Sequence, residues 1–354
     1  MWFTCNIVAF LACLWVVLAS SFNETEPRAS CTVTSYSKVA EAVASCSEIV
    51  LDGITVPAET TLDIALQDGA ELRFQNEIKF EYAAWDGPLI KISGRGITVL
   101  GLLGHSLDGQ GSKYWDGKGD GGGKAKPKFF RIEATGGSLF QNINLNNCPK
   151  HCVTIANSDS LTLTEWNIDV SAGDSQGKNT DGFDIASSNN IVIENSVVKN
   201  QDDCVAVNHG TNMKFSGLTC VGGHGLSLSV GKSKTDASAN VVSNIVFTNC
   251  TVENSRNGIH VKTHSDATTG ITRYGINIQE DYEEGSSTGN PKGNIPITAL
   301  TMQNIEGTMA GSDSIPVYIL CGTDGCAEWS WSSISITGND TSNYCNYTPD
   351  GFTC

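Results

Sequence analysis

Short apolar runs recur along the chain, each alternating inward apolar with outward polar residues over four to six positions and each closed by Asn, Gly or Ser. Examples are Leu161-Thr-Leu-Thr, Asn190-Ile-Val-Ile-Glu-Asn, Cys204-Val-Ala-Val-Asn, Asn244-Ile-Val-Phe-Thr-Asn and Tyr274-Gly-Ile-Asn-Ile. A period of two is the signature of a strand with one buried face. Segments of helical period are nearly absent; only Ser37–Ala44 carries one, predicting a short helix. A β-sandwich would need tight hairpin turns every 8–12 residues or so, and the matching Asn-Gly or Asp-Gly dipeptides are missing. Short strands with asparagine-rich corners predict a parallel β-helix, a β-solenoid whose open end the helix near residue 40 caps.

The first residues interrupt this pattern. Ile7 to Leu18 is one apolar stretch followed by Ala19-Ser20-Ser21, the core and small-residue end of a signal peptide. It falls short of the ~18 apolar residues usual for a membrane span. The expectation is a signal peptide over residues 1–21 and a single parallel β-helix catalytic domain over 22–354, secreted and extracellular. No Pro-rich or Gly/Ser linker divides that domain. Removing Cys5 and Cys13 with the signal leaves 11 of 13 cysteines, a load that suits an oxidising compartment. The close pairs Cys31/Cys46, Cys204/Cys220, Cys321/Cys326 and Cys345/Cys354 read as local disulfides. Cys148, Cys152 and Cys250 remain, so at least one thiol is expected free. Cys148-Pro-Lys-His151-Cys152 has no second Cys/His pair at ligand spacing, which favours a short disulfide or buried thiols over a metal site. Sequons at Asn23, Asn249, Asn339 and Asn346 fit a glycoprotein, with Asn249 falling in a predicted strand.

A formal net charge of −16 argues against nucleic-acid binding and against unguided attraction to anionic polymers or membranes. A polyanionic substrate would need cations placed locally. Against that background, Asp181 and Asp202, and Asp203 and His224, are each separated by 21 residues, the length of one solenoid turn. Such spacing gathers the four on one face. Asn179-Thr-Asp-Gly-Phe-Asp184 requires a bend at Gly182 for Asp181 to point outward. In Gln201-Asp-Asp, adjacent carboxylates repel and one holds its proton more tightly, as a general acid requires. A solvated corner or a calcium pair is the bland alternative, though calcium needs more oxygen ligands than can be located. Glycines around His224 leave room for a substrate, and His260 and Lys262 share one strand face. Gly121-Gly-Gly-Lys124 lacks the remaining features of a phosphate loop and reads as an ordinary loop.

These motifs, Asn179-Thr-Asp-Gly182, Gln201-Asp-Asp203, Gly223-His-Gly225 and the strand ending in Lys262, with Tyr274 to Tyr282, Asp108-Gly-Gln-Gly and the cysteine-rich tail, resemble the polygalacturonases from about Cys31 to Cys354. These are pectin-degrading glycoside hydrolases on a right-handed parallel β-helix. The resemblance implies hydrolysis of α-1,4 linkages in de-esterified pectin, endo-acting and inverting, with Asp202 as general acid and Asp181 with Asp203 activating water. His224 would support the acid; Lys262, His260, Tyr282 and Asn179 would bind substrate. It implies a monomer acting on pectin or polygalacturonate, with no cofactor and no metal, because carboxylates suffice for the chemistry. A catalytically impaired galacturonan-binding relative, or a hydrolase of oligogalacturonides or of a substituted pectin such as xylogalacturonan, is the alternative. There are two departures from the family pattern. His260 stands where the family usually has Arg, implying weaker galacturonate binding with a steeper, acid-favouring pH dependence. Residues 263–273 lack a strand segment, implying a truncated, irregular rung that bears on whether Tyr282 reaches the cleft.

Overall fold

The computed structural model describes residues 29–230, 239, 241–264, 274–283, 286–308, 315–337 and 342–354. The expected signal peptide, the sequons at Asn23 and Asn339, and residues 265–273 of the shortened segment lie outside the described residues. Among the described residues, strands assemble into two 12-stranded sheets and one 8-stranded sheet, and successive strands visit the sheets in turn. Pairing along all three is parallel among the described residues apart from one short antiparallel contact, Tyr282 with Ser287 and Glu283 with Ser286. This is a right-handed parallel β-helix. Its core is a column of side chains stacked in register: Ile185 over Val207, Ile191 over Met213, Val198 over Cys220.

The period-two pattern explains the strands, and the corner residues explain the turns. Asn190, Asn212 and Asn244 hold φ of 55°, 58° and 54°, a left-handed conformation that asparagine tolerates. Their amides bond from coil to coil, Asn244 to Asn212 at 2.7 Å, Asn212 to Asn190 at 3.2 Å and Asn190 to Asp159 at 2.8 Å. Asn249 is a corner of this kind (φ 52°) just past the strand Val242–Thr248, not within a strand as its β-branched neighbours suggested. Only a left-handed residue turns the chain there. Asn346 is exposed, and its side chain pairs with the backbone N–H and C=O of Cys321, both at 2.7 Å.

The helix Val39–Ser45, entered through a 3-10 turn, buries Val39 and Ala42 over the first coil, and Cys31–Cys46 ties it down. At the other end Trp329 and Trp331 are buried, with Tyr347 and Phe352 packed on them. The four expected disulfides are closed, and Cys148–Cys152 forms a fifth, leaving Cys250 as a buried thiol. No helix among the described residues is long and apolar enough to cross a membrane.

Candidate active site

One 12-stranded sheet carries every residue singled out for chemistry. Asn179 and Asp181 precede the strand Phe183–Ala186, and Asp202 and Asp203 open the strand Asp203–Val207. His224 precedes Gly225–Val230, His260 and Lys262 lie within Asn257–His264, and Tyr282 lies within Tyr274–Glu283. Inward positions of these strands (Ile185, Val205, Leu226, Ile259, Val261) are buried core, so the intervening side chains face outward.

The stacking differs from the expected 21-residue register. Phe183 pairs with Val205 and Asp203 with Gly225, which places Asp181 in line with Asp203, and Asp202 in line with His224. The repeat here is 22 residues, as in the bond from Thr211 to Asn189 one corner away. The expected irregularity at Gly182 also moves. The bulge sits one coil on, between Asp203 and Val205, where Cys204 is the extra residue. Gly182 is needed for close approach: a Cβ there would lie 2.5 Å from the Cys204 carbonyl oxygen.

Three carboxyls meet with distinct partners. Asp202 Oδ1 is 3.0 Å from His224 Nδ1 and accepts the Asp203 N–H at 2.8 Å, while Oδ2 accepts from Asn179 Nδ2 at 3.4 Å. Asp203 accepts Ser227 Oγ–H at 2.6 Å and the Lys262 ammonium at 2.9 Å. Asp181 is buried, and its Oδ1 has no hydrogen bond from the described residues. Burial, then the Asp202, Asp203 and Asp184 charges, push Asp181 well above the usual carboxylate range against a counter-pull from His151. Burial pushes Asp202 upward too, but the His224 bond and charge, the Lys262 charge and the Asp203 N–H outweigh it and hold it low. The cluster thus separates its acids into one that favours the proton and one that favours the charge. Burial opposes the Lys262 charge, but Asp203 raises its pKa above the ordinary lysine value.

His260 behaves differently from the expectation. Burial first, then the Lys262, His224 and Arg256 charges, depress its pKa well below 6.5, so it is a neutral ring rather than an acid-activated cation. Asn257 Nδ2 lies 3.3 Å from its Nδ1, and Tyr282 meets it edge-on at 5.8 Å. The Lys262 ammonium is 5.8 Å from the same Tyr282 ring. Tyr282 therefore reaches the cleft. The strand Asn257–His264 pairs directly with Tyr274–Glu283, and a register shift between Lys262 and His264 sets His264 opposite Tyr282.

Other members were not singled out as part of the site. His151 bridges Asp184 Oδ2 at 2.9 Å and Asp120 Oδ2 at 3.1 Å. Burial opposes its charge, but both carboxylates and Asp181 raise its pKa to about 10. The closed Cys148–Cys152 disulfide removes the thiolates that a metal site there would need. Ser227 was legible as the outward position two after Gly225; Asp120, in a loop, had no such signal. Ligand atoms of Asp202, Asp203 and His224 lie within 4.8 Å of one another, but a cation there would have to displace Lys262 from Asp203 and break the His224–Asp202 contact. Glu280 lies near Cys321 and Cys326, whose sulfurs are already joined.

A model of the "Glycosyl hydrolases family 28" matches residues 46–354. The chain belongs to glycosyl hydrolase family 28. Within it, the chain is 45% identical over 367 residues to a polygalacturonase of Phaedon cochleariae, covering 99% of each protein. It is 44% identical over 345 residues to a polygalacturonase of Penicillium griseoroseum, covering 92% of this chain and 91% of that one. Among solved structures, the endopolygalacturonase I of Stereum purpureum, complexed with two galacturonate, superposes with a TM-score of 0.73 at 31% identity, covering 91% of this chain and 100% of that chain. As a family 28 member, the chain is a glycoside hydrolase.

Proposed function

We propose that the protein is a secreted endo-polygalacturonase that hydrolyses α-1,4-galacturonosidic bonds of de-esterified pectin with inversion, acting as one β-helical catalytic domain over residues 22–354. The observation that carries this is the asymmetric carboxyl cluster, one acid bonded to His224, one tied to Lys262, and one buried and proton-retaining, on the outward face of the sheet. The polygalacturonase names of its relatives supply the substrate class. The neighbour complexed with two galacturonate supports an acidic sugar.

Asp202 is assigned as the general acid on the leaving oxygen. Asp203, fixed by Ser227 and Lys262, deprotonates the attacking water, which Asp181 helps to hold. His224 stabilises Asp202 and exchanges protons with it through Nδ1. Lys262, Tyr282, His260 and Asn179 line the place where the sugar sits, His260 as a neutral donor or acceptor. Asn249, exposed at a corner, is a glycan acceptor in this reading, together with Asn23, Asn339 and Asn346.

The electrostatics favour one rival division of labour. Since the free protein keeps its proton on Asp181, Asp181 could be the acid and the Asp202–His224 pair the base. An aryl galacturonide with a good leaving group separates the two, because such a substrate needs no protonation. Asp202→Asn should retain turnover of the aryl substrate and lose polygalacturonate hydrolysis; retention by Asp181→Asn instead would reverse the roles. Reducing-end release from polygalacturonic acid tests the activity itself. Sedimentation with pectin and no release would leave only a galacturonan-binding protein.

A further inference from the structure

The glycine-rich loop ahead of the strand Lys128–Thr135 reaches the carboxyl cluster through backbone, not side chains. Lys126, 3% exposed, anchors the loop: its ammonium meets Asp116 at 3.0 Å and donates to the carbonyls of Gly119, Gly122 and Lys124 at 3.3, 3.2 and 2.9 Å. Asp120, at the loop's crest, bonds Lys150 Nζ at 2.8 Å and His151 Nε2 at 3.1 Å. His151 is in turn fixed from below, with Nδ1 at 2.9 Å from Asp184, and its own N–H donates to the Asn179 carbonyl at 2.8 Å. Cys148–Cys152 closes the short turn that carries Lys150 and His151.

That clasp sets one atom near the chemistry. The backbone N–H of Asp120 donates to Asn179 Oδ1 at 2.9 Å, so the amide of Asn179 has its oxygen turned to the loop and its NH2 turned to Asp202 Oδ2 at 3.4 Å. Gly119 makes the approach possible: its φ is 57°, and a Cβ there would lie 2.1 Å from Asn179 Oδ1. Two independent features, an ion-pair clasp and a glycine that only fits bare, converge on the same amide.

We propose that Asp120 is a positioning residue for the general acid: held by His151 and Lys150, it orients the Asn179 amide so that Asn179 donates to Asp202. The proposal rests on the assignment of Asp202 as the acid. The groups acting on Asp202 are His224 from the following coil, Lys262 from the coil beyond, Asp203 beside it and Asp181 before it; those acting on His151 are Asp120, Asp184 and Asp181, with Lys150 adjacent. Removing a donor from the Asp202 carboxylate favours its protonated form, so the alkaline limb of the pH profile moves upward, while the disordered amide lowers turnover at the optimum.

Two variants test this with different chemistry. Asp120→Asn removes the clasp charge. Gly119→Ala alters no charge and forces loop and amide apart. Both should lower kcat about 10-fold on polygalacturonate with KM little changed, and both should move the alkaline limb of kcat up by about half a pH unit. Asp120→Glu should recover part of the loss. If Gly119→Ala keeps the parent profile while Asp120→Asn shifts it, the effect is a long-range charge and the positioning proposal is overturned. Parent-like profiles in both also overturn it. Should Asp120→Asn fail to fold, Gly119→Ala and His151→Gln carry the same expectation. Asp202→Asn serves as control: full hydrolysis by that variant sinks the acid assignment itself, whereas its loss together with unshifted loop variants sinks only the clasp.

Discussion

Asp181 and Glu280 are both buried carboxyls that hold their protons above the ordinary range, and they lie on opposite faces of the same sheet. Asp181 faces outward beside Asp202 and Asp203, and its raised pKa comes from burial and like charges. Glu280 faces inward in line with Ile276 and Ile278, where burial raises it to about 7 against one hydrogen bond from Gly322 N–H, and its Oε1 has no hydrogen-bond partner among the described residues. A Cβ on Gly325 would lie 1.7 Å from that carboxylate, so the loop closed by Cys321–Cys326 is packed directly onto it. A perturbed pKa alone does not mark a reaction centre. What separates the two is company: Asp181 has other acids and a cleft, while Glu280 has a disulfide loop.

The sharpest break in that comparison is activity. Asp202→Asn and Asp181→Asn should each lower kcat on polygalacturonate by about a thousandfold or more, the scale of a lost acid or base, while Glu280→Gln should leave kcat within about twofold. Steady-state reducing-end assays at the optimum pH decide it. An inactive but folded Glu280→Gln would put the inner face into the chemistry and end the distinction.

The next effect separates paired from unpaired acids. Lys262 and Asp203 are 10% and 5% exposed at their side chains and meet at 2.9 Å. Lys262→Met leaves a buried carboxylate without its ammonium, which costs about 3–5 kcal/mol. Urea unfolding should show that loss, alongside loss of hydrolysis. A variant of parent stability would mean the pair is solvated and Asp203 is not held as described.

Smaller, and opposite in sign, is the effect of neutralising a proton-retaining acid. Glu280 has a folded pKa raised from 4.5 to about 7. Below about pH 4.5 both states are protonated and nothing is lost; between 4.5 and 7 the unfolded chain releases a proton the folded chain keeps, so stability falls as pH rises and levels off above 7. Glu280→Gln should therefore match the parent at pH 4 and exceed it by about 1–3 kcal/mol at pH 8. Asp181→Asn should stabilise in the same direction while abolishing activity. Denaturation at the two pH values tests both, and a variant less stable than the parent at pH 8 would refute the strain assigned to it.

How much of this was written in the sequence divides along the same line of local against distant causes. The solenoid was legible because strand alternation and left-handed asparagine corners are both local, and the capping helix because its period is confined to one turn of chain. The acids were legible from short motifs. Their register was not, since the coil from Phe183 to Val205 and from Asp203 to Gly225 is 22 residues long, one more than the 21-residue spacing of the acids, and no local motif signals that extra residue. His151 was visible as a residue but its role was not, because its partner Asp120 is 31 positions away in an irregular loop.

His260 shows the same limit, and it yields the smallest expected effect. Histidine in an acidic cleft suggests a cation that switches on at low pH. Burial and the neighbouring Lys262, His224 and Arg256 charges instead keep it neutral, with its pKa well below 6.5. As pH falls below 6.5 the unfolded chain binds a proton that the folded chain refuses. The stability linked to His260 is thus complete above that pH and declines below it, by at most about 1.4 kcal/mol for each pH unit. His260→Gln should unfold at lower pH than the parent while the acid limb of its kcat/KM profile stays where it was. An acid limb displaced by more than a few tenths of a unit would show that the ring titrates during turnover and that the substrate's carboxylate is held by an imidazolium after all.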